Sequence, residues 1–256
     1  MTSEVTTELV GGVLAVTLSR LDKKNALTNG MYGALADAIQ RAESDADVRV
    51  VLIQADGELF TSGNDLGEFA EQATGKGPAE LNVLRFLQNL AVTTIPIVAA
   101  VQGKAVGVGT TMLLHCDYVV LSEDAQLSAP FVNLALVPEA GSSYLLPART
   151  GHVRAFQLFS LGESIDAKSA VAWGIANTVV PGEDLRTEAR RVAEKLATKP
   201  LGSLKATKQL MRDPQRLLAQ IDAESLVFAE RLKSAEAREA FTAFAQKRQP
   251  DFSTIR

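Results

Sequence analysis

Apolar residues recur along the chain with two periods, and the switch between them outlines the fold. Short runs rich in β-branched residues, Val13 to Leu18, Val48 to Gln54 and Ile95 to Val101, are bounded by turn and charged residues and predict strands. Pro96 falls near the start of the third run, where a missing N–H is tolerated. Between the first two, Met31, Leu35, Ala38, Ile39 and Ala42 repeat at helical spacing across Asn29 to Glu43, and Pro78 to Leu90 repeats the pattern. Asp117 to Ser122 predicts a further strand. Phe131 to Tyr144 then breaks into short apolar pieces around Pro138 and Gly141, which predicts loops and tight turns where chemistry can sit.

From Arg149 onward the helical period takes over, in His152 to Leu161, Asp166 to Trp173, Leu185 to Thr198 and Leu204 to Arg212. Asp166 has the chemistry of an N-cap and Gly174 that of a helix-ending glycine. Asp213 and Pro214 supply the cap and first position of another helix, whose Leu217, Leu218, Ile221, Phe228 and Leu232 form one apolar stripe; a last helix covers Ala235 to Lys247. With no internal repeat and no Gly/Ser linker, an α/β part passes directly into a helical C-terminal layer. Helices this apolar must be covered by the core or by other subunits.

Composition narrows the class. The chain has 256 residues, 46% hydrophobic and 22% charged, the balance of a globular protein with one large domain or two small ones. A single cysteine, Cys116, excludes an intramolecular disulfide and a multi-cysteine zinc cluster, and with only His115 and His152 no metal site is expected. The start MTSEVTTELV lacks a basic region followed by an apolar run, so a cytoplasmic location is expected. Gln102, Gly103 and Lys104 interrupt the best candidate for a membrane span, and none is expected. The net charge is −4, with a surplus of basic residues after position 182; this suits a small polyanionic ligand and is too weak for duplex nucleic acid.

Three segments carry candidate chemistry. Phe60 to Leu66 leads from a strand towards a helix, and can be an ordinary capped turn or a loop whose free N–H groups hold an anion. Gly103 to Gly109 follows a strand, and its glycines let a ligand approach the backbone at a helix start. That segment fails as a dinucleotide fingerprint because Met112 stands where the third glycine belongs, and as a Walker loop because Ala105 follows the glycine-lysine pair. In Val137 to Ser143, Glu139 is the lone acid of an uncharged neighbourhood: either a solvated turn residue, or a buried carboxyl whose raised pKa suits acid/base work. His115 and Cys116 read as packing residues, and Ser142, though preceded by Gly141, lacks the glycine two residues before it that a nucleophile elbow requires.

The order of Arg20 to Leu27, Phe60 to Leu66, Ala100 to Gly109, Pro138 to Ser143, Leu161 to Val180 and Phe244 to Phe252 resembles the enoyl-CoA hydratase/isomerase (crotonase) superfamily over most of the chain. The resemblance implies an α/β fold, a crotonase-like spiral of ββα units over residues 1–195 with a helical trimerisation region over 196–256, assembled as a homotrimer or a pair of trimers. It implies an acyl-CoA thioester as partner, with no separate cofactor because coenzyme A belongs to the substrate. It carries an oxyanion hole to the backbone N–H groups of Ser62 and Val108, and catalysis to Glu139. Around them it implies substrate contacts at Lys23, Ala26, Gly63, Asp65, Leu66, Gly107, Gly109, Phe131, Phe228 and Lys247, with the Phe69 to Gly77 stretch setting pocket width. The positions of the two hydratase glutamates hold Thr111 and Phe131 here, neither of which can activate water. The expected activity is therefore isomerisation of a 3-enoyl-CoA to the 2-trans product by a single glutamate. A ring-derived (epoxyphenylacetyl-type) acyl-CoA isomerase, an enoyl-CoA hydratase and a non-catalytic acyl-CoA-binding trimer are the alternatives.

Overall fold

The computed structural model describes residues 4–73, 77–78, 80–253 and 255, without the side chains of 69, 70, 72 and 73. The expectation that Phe69–Gly77 sets pocket width rests mostly on side chains outside those described.

Two strands open the chain, β1 (Val5–Val10) and β2 (Val13–Leu18), joined as a hairpin through Gly11 and Gly12, both at positive φ. A 3-10 turn, Leu21–Lys23, leads to α1 (Asn29–Ser44), capped by Thr28, whose side chain accepts from Met31 N at 3.2 Å. Then come β3 (Val50–Ala55), α2 (Leu66–Ala73), α3 (Asn82–Val92), β4 (Ile97–Val101), β5 (Lys104–Val106) and the single turn α4 (Val108–Thr111), continued as a 3-10 turn over Met112–His115. After β6 (Tyr118–Ser122) and β7 (Gln126–Ser128), α5 (Ser142–Thr150) and α6 (His152–Leu161) precede β8 (Ile165–Asp166), α7 (Ala167–Ala172) and β9 (Thr178–Val180). Four helices finish the chain: α8 (Leu185–Ala197), α9 (Leu201–Met211), α10 (Pro214–Leu232) and α11 (Ala235–Ala245).

The larger sheet has the order β1-β2-β3-β4-β6-β9, parallel except for the first pair; β5-β7-β8 form a smaller sheet. Strands β2, β3 and β4 are apolar but for Thr17 and Gln54 because both faces are covered, as parallel sheets require. Leu14, Val16, Val51, Ile53, Ile97 and Ala99 face the cluster that contains α1 and α3, while Val13, Val50, Leu52, Val98 and Ala100 face Leu185, Ala189, Val192 and Ala193 of α8. Leu217 and Ile221 of α10 belong to the first cluster, so the C-terminal helices fold back on the α/β layers.

The structure adds elements that the apolar pattern missed. The edge strand β1 reads VTTELV, mostly exposed, so its apolar signal is thin. The Phe131 to Tyr144 segment does contain a short turn and loop, but α5 starts inside it at Ser142 and runs through Pro147, which lies inside the helix and cannot donate to the carbonyl one turn back.

Candidate active site

Glu139 sits in the loop before α5 and is 8% exposed, so it is no solvated turn residue. The hydroxyl of Thr111, at the end of α4, donates to its Oε1 at 2.5 Å. Burial drives its pKa upward; the Thr111 hydrogen bond opposes this and the charge of Glu224 adds to it, with the result pushed up to about 7. A carboxyl poised there can take and return a proton at neutral pH.

The loops facing this carboxyl are pinned together by the backbone. Thr61 bridges Ala105, with Thr61 N to Lys104 O at 3.1 Å and Val106 N to Thr61 O at 3.1 Å, and Leu27 bridges Asn64. A Cβ on Gly63 (φ 91°) would stand 3.0 Å from Val106 O, and one on Gly109 only 2.4 Å from Thr61 Cγ2. Glycine at these two positions lets the two loops lie against each other.

Within this frame the donors can be assigned. Val108 is the first residue of α4, fully buried, and its N–H has no acceptor among the described residues, as expected at a helix start. Ser62 differs from expectation: its N–H donates to Lys24 O at 3.0 Å, and Gly63 N–H is taken by Thr61 Oγ1 at 3.1 Å. The amide of this loop without an acceptor among the described residues is that of Asn64, two positions further on. The reason lies in the turn before α1. Lys24 and Asn25 both adopt φ 52°, and the buried Asn25 side chain donates to Asp56 O and Leu59 O, which presses the Lys24 carbonyl against Ser62.

The remaining expected contacts fall in two groups. Gly107 caps α4 at φ 57°, with Phe131 4.0 Å from where its Cβ would be; Phe131 packs on Phe159 as an apolar wall. Ala26 O accepts from Arg20 at 2.9 Å; Arg20 also binds Asp65 at 2.7 Å, and Asp65 caps α2, which begins at Leu66. Asp65 therefore shapes the loop. Lys23 and Lys247 are exposed and form no ion pair among the described residues, and Phe228 is half-buried against the main core. Among the described residues, neither Lys23 nor Lys247 forms a hydrogen bond or ion pair with Glu139.

Tyr32 is a site residue that the sequence reading missed. It is 3% exposed, its hydroxyl donates to Asn64 Oδ1, and burial, then Glu139 and Glu68, keep its pKa well above the usual value, so it stays a neutral donor. Tyr32 and Asn64 line a small cavity with Leu27, Asn29, Glu68 and Val83. Its position beside Met31 on the buried face of α1 was the available signal. A larger cavity of about 520 Å³ lies beside α9, but it is lined by Asp117, Arg149, Lys208 and Arg212 and includes none of the site residues. His115, pushed down to about 3, and Cys116, pushed up to about 12, are both held inert by burial. Among the described residues no group of three or more His, Cys, Asp or Glu could hold a metal ion, and no helix is long and apolar enough to cross a membrane.

A buried carboxyl with a raised pKa, together with two loops that each leave an amide without an acceptor among the described residues, is a constellation suited to proton transfer beside a stabilised oxyanion. The family model described as "Enoyl-CoA hydratase/isomerase" matches residues 8–254, and the chain belongs to that family, the crotonase superfamily. It is 33% identical over 249 residues to "1,2-epoxyphenylacetyl-CoA isomerase" of Escherichia coli, covering 94% of this chain and 95% of the relative. It is equally 33% identical over 244 residues to "2,3-dehydroadipyl-CoA hydratase" of the same organism, covering 94% of each. A solved enoyl-CoA hydratase/isomerase from Pseudoalteromonas atlantica superposes with a TM-score of 0.93 at 40% identity, covering 98% of this chain and 100% of that one. Relatives with both kinds of name stand at the same distance, so the reaction has to be argued from the residues.

Proposed function

We propose that the protein is an acyl-CoA isomerase that converts a 3-enoyl-CoA to the 2-trans-enoyl-CoA through a thioester enolate, with Glu139 as its single base. The observation that carries this reading is the buried Glu139 carboxyl bound to Thr111, with no carboxylate at position 111 or 131 to assist it. Hydration needs a second group to position water and deliver a proton, and a threonine hydroxyl already bound to Glu139 and a phenyl ring do not provide one.

In the proposed reaction the ionised Glu139 removes a proton from C2, and the C–H electron pair flows into the thioester, placing charge on its oxygen. The N–H groups of Asn64 and Val108 stabilise that oxygen by about 2.7–4 kcal/mol per donor. The protonated Glu139 then returns the proton at C4, the former 3,4 double-bond electrons form the new C4–H bond, and the double bond settles between C2 and C3. Phe131 keeps water from the enolate. Lys23, Lys247 and Phe228 are proposed to meet the nucleotide end of the coenzyme, and residues 196–256 to cover their exposed apolar side chains in a homotrimer or a pair of trimers.

A ring-derived acyl-CoA isomerase is the second reading. The Tyr32–Asn64 pair favours it, because it offers hydrogen bonds to an oxygenated acyl group, as does the likeness to the epoxyphenylacetyl-CoA isomerase. Purified protein incubated with a 3-enoyl-CoA, followed for conjugated-thioester absorbance and for 3-hydroxyacyl-CoA, tests the first reading. Conjugated product without the hydroxyl supports it, and efficient hydration to the 3-hydroxyacyl-CoA overturns it.

A further inference from the structure

Glu224 is a buried carboxylate with no part in the reaction above. It lies on α10 in the stripe that holds Leu217, Ile221 and Phe228, is 6% exposed, and reaches across to the start of α5. Its Oε2 accepts from Gly141 N at 2.6 Å, and its Oε1 accepts from Ser143 N at 2.9 Å and from the Ser143 hydroxyl. Gln220 donates to that same hydroxyl at 2.9 Å. A carboxylate suits this place because the first amides of a helix lack internal partners.

The chain it grips is strained. Ala140 (φ 64°) and Gly141 (φ 67°) both take the left-handed conformation, and for alanine this persists only where the surroundings over-determine it. Ala140 directly follows Glu139. Glu224 holds one side of this turn, and His115 Nε2 holds the Ala140 carbonyl at 2.7 Å on the other.

We propose that Glu224 is a positioning residue for Glu139: by binding the Gly141 and Ser143 amides it locks the left-handed turn that aims the Glu139 carboxyl at Thr111 and the free amides. The C-terminal helix thereby sets the geometry of the base. This rests on the reading of Glu139 as that base. The charge of Glu224 also acts on Glu139 directly, in the direction that favours its protonated form. The groups facing Glu139 are Thr111 from α4, Tyr32 from α1, Glu224 from α10 and, across Ala140, the neutral ring of His115. Burial raises the pKa of Glu224 as well, while its hydrogen bonds from Ser143 and Gly141 favour the ionised form, and its charge is the one in this set that opposes ionisation of Glu139.

The test titrates Glu139 by carbon NMR on protein labelled with 13C at the glutamate carboxyls, its signal assigned by loss in Glu139→Gln. The titration needs no substrate, so it decides the proposal even if the wild type fails to convert 3-enoyl-CoA, a result that would count against the isomerase reading alone. In Glu224→Gln the Glu139 midpoint is expected to fall by roughly half a pH unit or more as the like charge is removed, with kcat down about tenfold or more. Glu224→Asp keeps the charge and shortens the reach. It is expected to hold the midpoint nearer the wild type while kcat still falls, and it serves if the glutamine variant does not fold. An unchanged Glu139 midpoint and kcat in folded Glu224→Gln, or an unchanged kcat in Glu224→Asp, would overturn the proposal.

Discussion

Replacing Glu139 by Gln is expected to stabilise the protein above neutral pH and to leave it nearly unchanged in acid. In the folded chain the Glu139 midpoint stands at about 7 instead of 4.5, chiefly because the carboxyl is buried. Between those values the unfolded chain has ionised this group while the folded chain still holds the proton. Wild-type stability therefore falls as pH rises through that window, and the loss is complete above the folded midpoint. The size of the loss is on the order of 3 kcal/mol. A glutamine does not titrate, and its amide oxygen can still accept from Thr111. Urea unfolding of both proteins at pH 4.5 and pH 8, at one protein concentration, measures the effect, because every other titrating group is common to the two. The stability gap is expected to open in favour of Glu139→Gln only at the higher pH. A gap of equal size at both pH values would refute the account of a carboxyl desolvated by burial.

Three further outcomes follow from the same geometry. Thr111→Val removes the hydroxyl that favours the ionised carboxylate, so the acidic limb of the kcat/KM profile, expected near pH 7 in the wild type, should move up by about one unit; a limb that stays put would separate Thr111 from the base. Gly109→Ala places a methyl 2.4 Å from Thr61 Cγ2, which should cost about 1–3 kcal/mol in unfolding free energy and, by parting the two donor loops, lower kcat far more than KM rises. Val153, Phe156, Leu210, Met211, Leu226 and Phe244 are exposed and apolar, so sedimentation is expected to report a trimer or a multiple of it, and a monomer at micromolar concentration would contradict the expected assembly.

Much of the scaffold was legible because burial on two faces writes itself into composition: β2, β3 and β4 are apolar but for Thr17 and Gln54, and the caps at Asp166 and Asp213 open helices where polar residues meet apolar periodicity. The short strands β5, β7 and β8 were not, since two or three residues held by backbone pairing leave no period to read. Glu139 stood out as a lone acid in an uncharged stretch, and the glycines read as room for a ligand at the backbone, whereas Gly63 and Gly109 also let the two loops lie against each other. The free amide of the first loop was expected at Ser62, but a free N–H is a property of pairing: the left-handed turn at Lys24 and Asn25, fixed by a buried asparagine, uses up the Ser62 amide and leaves that of Asn64 without an acceptor among the described residues. Glu224 had a trace in the sequence, as an acid interrupting the apolar stripe of α10, but its target lies 83 residues away and only the folded chain joins them.

A 3-enoyl-CoA carrying deuterium at C2 tests the central assignment most directly. If one carboxyl takes the proton at C2 and delivers it at C4, wild-type product in ordinary water should retain part of the label at C4, and Glu139→Gln should form almost no product while still binding the thioester. Turnover by Glu139→Gln at a rate near that of the wild type would contradict the account.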